Sequence, residues 1–132
     1  MNIVRLDHLV LTVMDVEVTC TFYCGLLGMK RITFGDSRTA LHFGHQKINL
    51  HPFDWDYYLK AHTPTPGSAD LCFIVDVAVE EWAAELAEKE IELIEGPVVR
   101  TGAAGRLRSI YFRDPDGNLI ELSNVLTVEE AD

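Results

Sequence analysis

One pattern of strands and a helix occurs twice along the chain, and this repeat restricts the possible folds more than any other feature. The run His8–Val13 matches Asp70–Val75 in its apolar pattern, 62 residues further on, and Lys47–His51 matches Leu119–Ser123, 72 residues further on. Self-similarity over such a length indicates one supersecondary unit used twice. The sequence therefore predicts an α+β fold of two βαβββ modules related by an internal pseudo-twofold.

Hydrophobic periodicity, together with glycines and prolines, places the elements of each module. Module 1 spans about residues 1–52, a connection rich in aromatics and prolines spans 53–67, and module 2 spans about 68–126. The predicted elements are a strand at 6–13, a helix from the cap Asp15 to about 27, strands near 30–34, 39–43 and 47–51, a strand at 69–77, a helix at 79–89, and strands near 91–94, 108–112 and 119–122.

A glycine-rich stretch lies between two predicted strands of module 2. Residues 96–106 contain Gly96, Gly102 and Gly105 together with Arg100 and Arg106. Loops carry much of the binding function of small domains. We expect this stretch to be a loop that closes over a ligand.

Composition limits the partners and the compartment. A chain of 132 residues with 48% hydrophobic content forms one domain with its own core. The net charge of -10 argues against nucleic acid and anionic membranes as partners. The three cysteines have neither a disulfide framework nor metal-site spacing, and the first residues lack the pattern of a secretory signal. We expect a cytoplasmic protein.

Glu121 is a carboxylate in the middle of the apolar run 119–122. An unpaired charge on a buried strand costs on the order of several kcal/mol unless a partner binds it. The sequence allows two kinds of partner for Glu121. Glu121 either binds a metal ion or forms an ion pair with Arg108 or Arg113.

His8 is the second candidate for a functional side chain. On a strand it lies on the same side as Val10 and Thr12. Taken alone, His8 is predicted to be a strand histidine that forms a hydrogen bond with a neighbour such as Asp7. Taken with Glu121, it becomes a candidate metal ligand.

Three motifs resemble one known family. They are Asp7-His8-Leu-Val-Leu-Thr-Val, Phe22-Tyr23-Cys-Gly-Leu-Leu-Gly28, and the ending Phe112-Arg-Asp114-Pro-Asp-Gly-Asn-Leu-Ile-Glu121-Leu. Together they resemble the vicinal oxygen chelate superfamily, which includes glyoxalase I, fosfomycin-modifying transferases, extradiol dioxygenases and bleomycin-binding proteins. The segment from Arg100 to Asp114 is similar to glyoxalase domain-containing protein 5 and to bacterial virulence-associated members.

The resemblance implies a curved mixed sheet whose concave faces hold a divalent metal ion, one of Ni, Zn, Mn, Co or Fe. The four ligand positions of the family fall on His8, Asn49, Asp70 and Glu121. The usual set is His, Glu or Gln, His and Glu, so Asn49 and Asp70 depart from it. His51 lies two residues after Asn49, on the same strand face, and is a candidate replacement. Members of this size commonly form homodimers, so a second subunit is a candidate contributor.

The resemblance also implies a reaction class. We expect a divalent-metal-dependent lyase or isomerase that acts on a small oxygenated substrate through an enolate-type intermediate, with Glu121 as the general base. One alternative is a metal-free protein that sequesters a drug or metabolite, favoured by Asn49 and by the acidic, aromatic stretch from Phe53 to Tyr58. Another is an extradiol-type dioxygenase, which would need His8, His51 and Glu121 around iron.

Four further residues are candidates for substrate binding. Asn49 lies at a ligand position, Arg100 in the glycine-rich stretch, and Tyr111 and Trp55 are aromatic side chains near the predicted site. Core packing is the alternative role for the two aromatic residues.

Overall fold

The computed structural model describes residues 1–128, which form two compact units. The first unit comprises Met1–Ala69 together with Pro115–Gly117, and the second comprises Asp70–Asp114 together with the residues from Asn118 onward. Each unit contains one helix and one four-stranded mixed sheet. The prediction of an α+β fold with two βαβββ modules is confirmed.

The first unit has the order strand, helix and three strands. Its elements are β1 (His8–Val13), α1 (Val16–Gly25), β2 (Lys30–Phe34), β3 (Arg38–Phe43) and β4 (Gln46–Pro52). The sheet order is β1-β4-β3-β2, in which β1 is parallel to β4 and the other neighbours are antiparallel. The Asp15 side chain accepts a hydrogen bond from the Val18 backbone N–H, as expected of an N-cap.

The core of the first unit lies between α1 and one face of this sheet. Leu11, Leu41 and Ile48 are buried on the sheet, and Cys20 and Tyr23 are buried on the helix. Because side chains alternate along a strand, His8, Val10, Asn49 and His51 must lie on the opposite face. We call this face the open face of the first sheet.

The second unit repeats the same order. Its elements are β5 (Asp70–Ile74), α2 (Val79–Glu88), β6 (Glu95–Thr101), β7 (Arg106–Arg113) and β8 (Leu119–Val125), with the sheet order β5-β8-β7-β6. Leu86 of α2 and Ile110, Phe112, Ile120 and Leu122 of the sheet are almost completely buried. Glu121 therefore lies on the other face, which we call the open face of the second sheet.

The glycine-rich stretch is not the predicted loop. Residues 95–101 form β6, and the predicted strand at 91–94 is irregular. The turn between β6 and β7 is limited to residues 102–105. The β-branched residues Val98 and Val99 favour an extended strand, and they outweigh the nearby glycines. Arg100 is consequently held on a strand that pairs with β7.

Neither α1 nor α2, the helices of the described residues, is long and apolar enough to cross a membrane.

Candidate functional site

The open face of the first sheet carries two buried polar side chains. Val10 lies beside Asn49, and Thr12 lies beside His51, in the parallel register of β1 and β4. Asn49 and His51 are each only 5% exposed. Within residues 1–128, the Asn49 Oδ1 and His51 Nε2 atoms have no hydrogen-bond partner. Buried polar atoms without a partner are costly, so we take these two atoms to mark a candidate binding position.

Aromatic rings surround His51. The His51 and Trp55 rings form a T-shaped pair, with ring centroids 4.7 Å apart. Trp55 in turn stacks on Tyr57 at 4.8 Å. Both aromatic residues follow β4 in the stretch that contains no helix or strand, where the Trp55 N–H donates to the Pro52 carbonyl. Trp55, a candidate for substrate binding, therefore contacts His51, a candidate ligand of the same unit.

Positive charges lie close to the same ring system. The Arg38 guanidinium is 4.7 Å from the Phe34 ring centroid and 5.5 Å from that of Tyr57. Burial, followed by the charges of Arg38 and Lys60, lowers the pKa of His51. His51 is therefore expected to be a neutral imidazole near neutral pH.

His8 lies at the start of β1 and is much more accessible. Its Nδ1 atom is 2.8 Å from the Asp7 Oδ2 atom, and 44% of its side chain is exposed. The hydrogen bond with His8 lowers the pKa of Asp7. The predicted contact with Asp7 is thus present, and it leaves the Nε2 atom of the ring as the second nitrogen for another partner.

The open face of the second sheet carries a group of polar side chains around Glu121. Glu121 lies beside Cys72 on β5 and beside Tyr111 on β7. Asp70 is two residues before Cys72 and therefore points to the same face. The two carboxylates that the sequence singled out in this module lie on one face of neighbouring strands.

Hydroxyl groups orient the Glu121 carboxylate. The Ser123 Oγ atom lies 2.6 Å from the Ser109 Oγ atom and 3.3 Å from the Glu121 Oε2 atom, to which it donates. Burial, followed by the neighbouring Glu121 carboxylate, raises the pKa of Tyr111. The Ser123 hydroxyl therefore orients the Glu121 carboxylate on the face that points away from the helix.

Cys72 adds a thiol to this group. Its Sγ atom is 3.4 Å from the Ser123 Oγ atom. Burial is the largest cause that raises the pKa of Cys72, and the neighbouring carboxylates Glu121 and Asp70 act in the same direction. Cys72 is therefore expected to remain a protonated thiol, which contributes a weak donor rather than a nucleophile.

Arg100 lies near Tyr111, on strand β6. Its guanidinium is 5.7 Å from the Tyr111 ring centroid and forms an ion pair with Glu95 at 3.1 Å. Because β6 holds Arg100 in the sheet, the expectation of a loop closing over a ligand is wrong for this residue.

The proposed ion pair between Glu121 and Arg108 is also wrong. The Arg108 Nε atom donates instead to Glu80 in the first turn of α2. Arg108 lies on the same face of β7 as the buried Ile110, which points toward the helix. Glu121 pairs in register with Tyr111, whose side chain points to the open face.

No group of three or more His, Cys, Asp or Glu side chains within the described 128 residues is close enough to hold a metal ion. In the second unit, Asp70 and Glu121 are the carboxylates that share the open face. In the first unit, His8 and His51 lie on one face of the sheet, but His8 is exposed and His51 is buried.

Several residues of these faces escaped the sequence analysis. Arg38, Ser123 and Cys72 contact the candidate residues, yet none lies in a recognisable motif. The available signal was alternation, because Cys72 falls two residues after Asp70 and Ser123 two residues after Glu121. Arg38 carried no such signal, since its contact with the aromatic residues depends on how residues 53–57 fold back.

Comparison with known proteins identifies the family. The profile of the Glyoxalase/Bleomycin resistance protein/Dioxygenase superfamily matches residues 5–122. The chain belongs to this superfamily. The predicted resemblance to the glyoxalase and vicinal oxygen chelate proteins is therefore confirmed.

The chain is similar to a bacterial virulence protein and to an integron cassette protein. The chain is 54% identical to Virulence protein STM3117 of Salmonella typhimurium over 93% of its own length and 85% of that protein. It is 52% identical to the integron cassette protein VCH_CASS1 from the mobile metagenome of V. Cholerae, with a TM-score of 0.91, covering 94% of this chain and 97% of that one.

A more distant solved structure shares the fold. The fosfomycin resistance protein FosX of Listeria monocytogenes, solved with Mn(II) and sulfate, is 22% identical with a TM-score of 0.68, covering 98% of this chain and 96% of that one.

Proposed function

We propose that the protein is a divalent-metal-dependent, glyoxalase-like lyase or isomerase that acts on a small oxygenated substrate. The observation that carries this proposal is the setting of Glu121, which is half-buried on an open sheet face, beside Cys72 and on the same face as Asp70. Neither Asp70 nor Glu121 forms an ion pair with Lys, Arg or His within residues 1–128. Two such carboxylates suit a cation.

The donor atoms fit a first-row divalent ion. Asp70 and Glu121 would supply carboxylate oxygens, and His8 of a second copy would supply an imidazole nitrogen, which gives a mixed nitrogen and oxygen set. Such an ion acts as a Lewis acid toward adjacent substrate oxygens. We assign His51 to substrate contact rather than to the metal, because Arg38 and Lys60 place positive charge beside it.

Glu121 is proposed as the general base. Ser123 donates to its carboxylate and Tyr111 lies beside it in register, so both orient the group that would remove a proton beside a carbonyl. The proton would move to a Glu121 carboxylate oxygen and return from it to the neighbouring carbon of an enolised substrate. Tyr111 and Ser123 act here as positioning residues.

We further propose that a second copy of the chain completes the ligand set. Apolar side chains are exposed on the open faces beside the candidate ligands: Val10 is 44% exposed, Ile74 58% and Val125 62%. A homodimer would cover them and would bring His8 of one copy to the carboxylates of the other.

Metal content tests this proposal. The purified protein, loaded with Mn(II), Ni(II) or Zn(II) and desalted, is expected to retain about one ion per chain and to melt at a higher temperature than after chelation. Glu121→Gln and Asp70→Asn should lose most of this metal, whereas Glu95→Gln, a carboxylate already paired with Arg100, should keep it. Retention of metal by both site variants would contradict the assignment.

Mixed dimers test the contribution of a second copy. His8→Ala and Glu121→Ala should each abolish metal binding alone. When the two variants are co-expressed, a mixed dimer regains one intact site if the ligands come from different copies. No recovery in a purified mixed dimer would show that the ligands come from one chain.

A metal-free binding protein is the second candidate function. The aromatic group of Trp55, Tyr57 and His51 favours it, since stacked rings suit binding of a planar molecule. In that case Glu121→Ala would leave ligand affinity unchanged. The extradiol dioxygenase alternative requires His51 at the iron, and the neighbouring positive charges weigh against it.

A further inference from the structure

The open face of the first sheet is basic in an otherwise acidic protein. The twelve strand positions of this face include Lys30, Arg38 and Lys47, and none is Asp or Glu. The whole chain carries 21 acidic and 11 basic residues. The arrangement therefore concentrates positive charge on a face where the composition alone predicts the reverse.

Two of these cations meet on one aromatic ring. The Lys47 Nζ atom is 4.1 Å from the Phe34 ring centroid, and the Arg38 guanidinium is 4.7 Å from it. Neither Arg38 nor Lys47 has a carboxylate within ion-pair distance in the described part of the chain. Two like charges on one ring repel each other, so an anion between them would relieve that repulsion.

Unpartnered polar atoms lie next to these charges. Asn49 pairs in register with Ala40, which is two residues from Arg38, and His51 lies two residues further along β4. Both side chains are at least nine-tenths buried and present an Oδ1 atom and an Nε2 atom without hydrogen-bond partners in residues 1–128. A ligand with anionic oxygens and a neighbouring hydroxyl group would satisfy the cations and both atoms.

Two carboxylates stand near Arg38 without neutralising it. Arg38 and Trp55 line a cavity of about 370 Å³ that also contacts Glu17 and Asp36. Glu17 forms a bidentate ion pair with Arg31. Asp36 lies in the turn between β2 and β3, beyond ion-pair distance of Arg38.

We propose that Arg38 and Lys47 bind the anionic group of a small ligand, a carboxylate or a phosphate, with His51 and Asn49 supplying further hydrogen bonds. This proposal extends the function given above by naming a charged part of the substrate. Its residues all belong to the first unit. The site is therefore also open to a ligand that binds without metal.

The fluorescence of Trp55 provides the test. The chain has two tryptophans, so Trp82→Phe leaves Trp55 as the single reporter beside the site. Inorganic phosphate and benzoate are titrated separately into chelator-treated protein, with uncharged benzamide as the control for ring stacking. We expect saturable quenching by at least one anion, with calorimetry as an independent measurement, and no saturable change with benzamide.

Charge variants decide between a specific site and general attraction. Arg38→Gln and Lys47→Gln should each weaken anion binding about tenfold, the usual size of a lost charge-assisted contact. Arg106→Gln, an exposed arginine of the second unit, should bind as the parent does. Equal affinity in all three variants, or no saturation by either anion, would overturn the proposal.

The same titration in metal-loaded protein separates the two proposals. If the protein holds no metal but Arg38→Gln loses the anion, the metal-dependent function fails and the anion site stands. If anions bind only after metal loading, and Arg38→Gln and Lys47→Gln bind them normally, the anion site is wrong and the metal site stands.

Discussion

At the scale of single residues, the surroundings of Glu121 explain how a carboxylate is tolerated on an apolar strand. The face opposite the helix is lined by hydroxyl groups, of which Ser123 donates to the carboxylate and Tyr111 lies beside it. The sequence predicted that Glu121 needs a partner, but these hydroxyl groups lie on β7 and β8 and could be identified only from the strand register. The ion pair considered with Arg108 failed for the same reason, since Arg108 belongs to the helix side.

Ser109 and Ser123 provide a test of this hydroxyl pair. Ser123→Ala leaves the fully buried Ser109 hydroxyl without its 2.6 Å partner, so we expect a loss of about 1–3 kcal/mol in the free energy of unfolding. The double variant Ser109→Ala/Ser123→Ala removes both polar groups and should be less destabilised than the sum of the single variants. Urea unfolding of the four proteins measures this coupling, and additive losses would count against the shared hydrogen bond.

At the scale of elements, most of the helices and strands followed from the sequence because each carries a clear local signal. Strand β2 has the predicted bounds, and the cap at Asp15 starts α1. Strand β6 was missed because glycines at both of its ends resembled a loop, while the pairing with β7 that stabilises it is not a local property. The site residues Arg38 and Cys72 were missed for a related reason, since only tertiary contacts bring them to the candidate ligands.

The start of α2 depends on a residue 45 positions away. Ala78 offers no side-chain cap, and the Asn124 Oδ1 atom accepts from the Val79 N–H at 2.8 Å instead. The Asn124 amide nitrogen also donates to the Val75 and Val77 carbonyls. Asn124 thus fastens the turn before α2 to the end of β8.

Substitution of Asn124 is expected to destabilise the protein. Asn124→Ala removes all three hydrogen bonds and should cost about 2 kcal/mol, the upper range for a lost cap. Asn124→Asp keeps the acceptor for Val79 but turns a carboxylate oxygen toward the Val75 and Val77 carbonyl oxygens, so it should also be destabilised. Thermal unfolding compares the three proteins, and variants as stable as the parent would argue against the capping role.

At the scale of the whole molecule, charge is distributed unevenly. The net charge of -10 coexists with a basic open face on the first sheet. Several carboxylates are held by arginines, as in the pairs Glu17–Arg31 and Glu80–Arg108. Such pairs favour the ionised carboxylates of the folded state, and this effect ties stability to pH.

The Glu80–Arg108 pair predicts the direction of that dependence. Its hydrogen bond to Arg108 holds the pKa of Glu80 below the ordinary value of 4.5. The pair therefore stabilises the fold above about pH 4.5 and loses this effect as the pH falls through the lower pKa of the folded state. Because both groups are about half exposed, the contribution should be about 0.5 kcal/mol at most.

A double-mutant cycle measures this contribution. The coupling between Glu80→Gln and Arg108→Gln should be detectable by urea unfolding at pH 7 and absent near pH 2. It should be smaller in 0.5 M salt, where the Debye length falls to about 4 Å and the two charges are screened from each other. A coupling that persists unchanged at low pH would contradict an ionic origin.

The short segment Pro115–Gly117 has a consequence for how a gene of this kind can be divided. It belongs to the first compact unit although it is encoded between β7 and β8 of the second. There the Asp116 side chain accepts a hydrogen bond from the Met14 N–H. A reading frame that is cut after residue 69, between the two repeats, would separate Met14 from Asp116. The first half, expressed as residues 1–69, would lack part of its own unit, so the two modules are duplicates in pattern without being separable as coding segments.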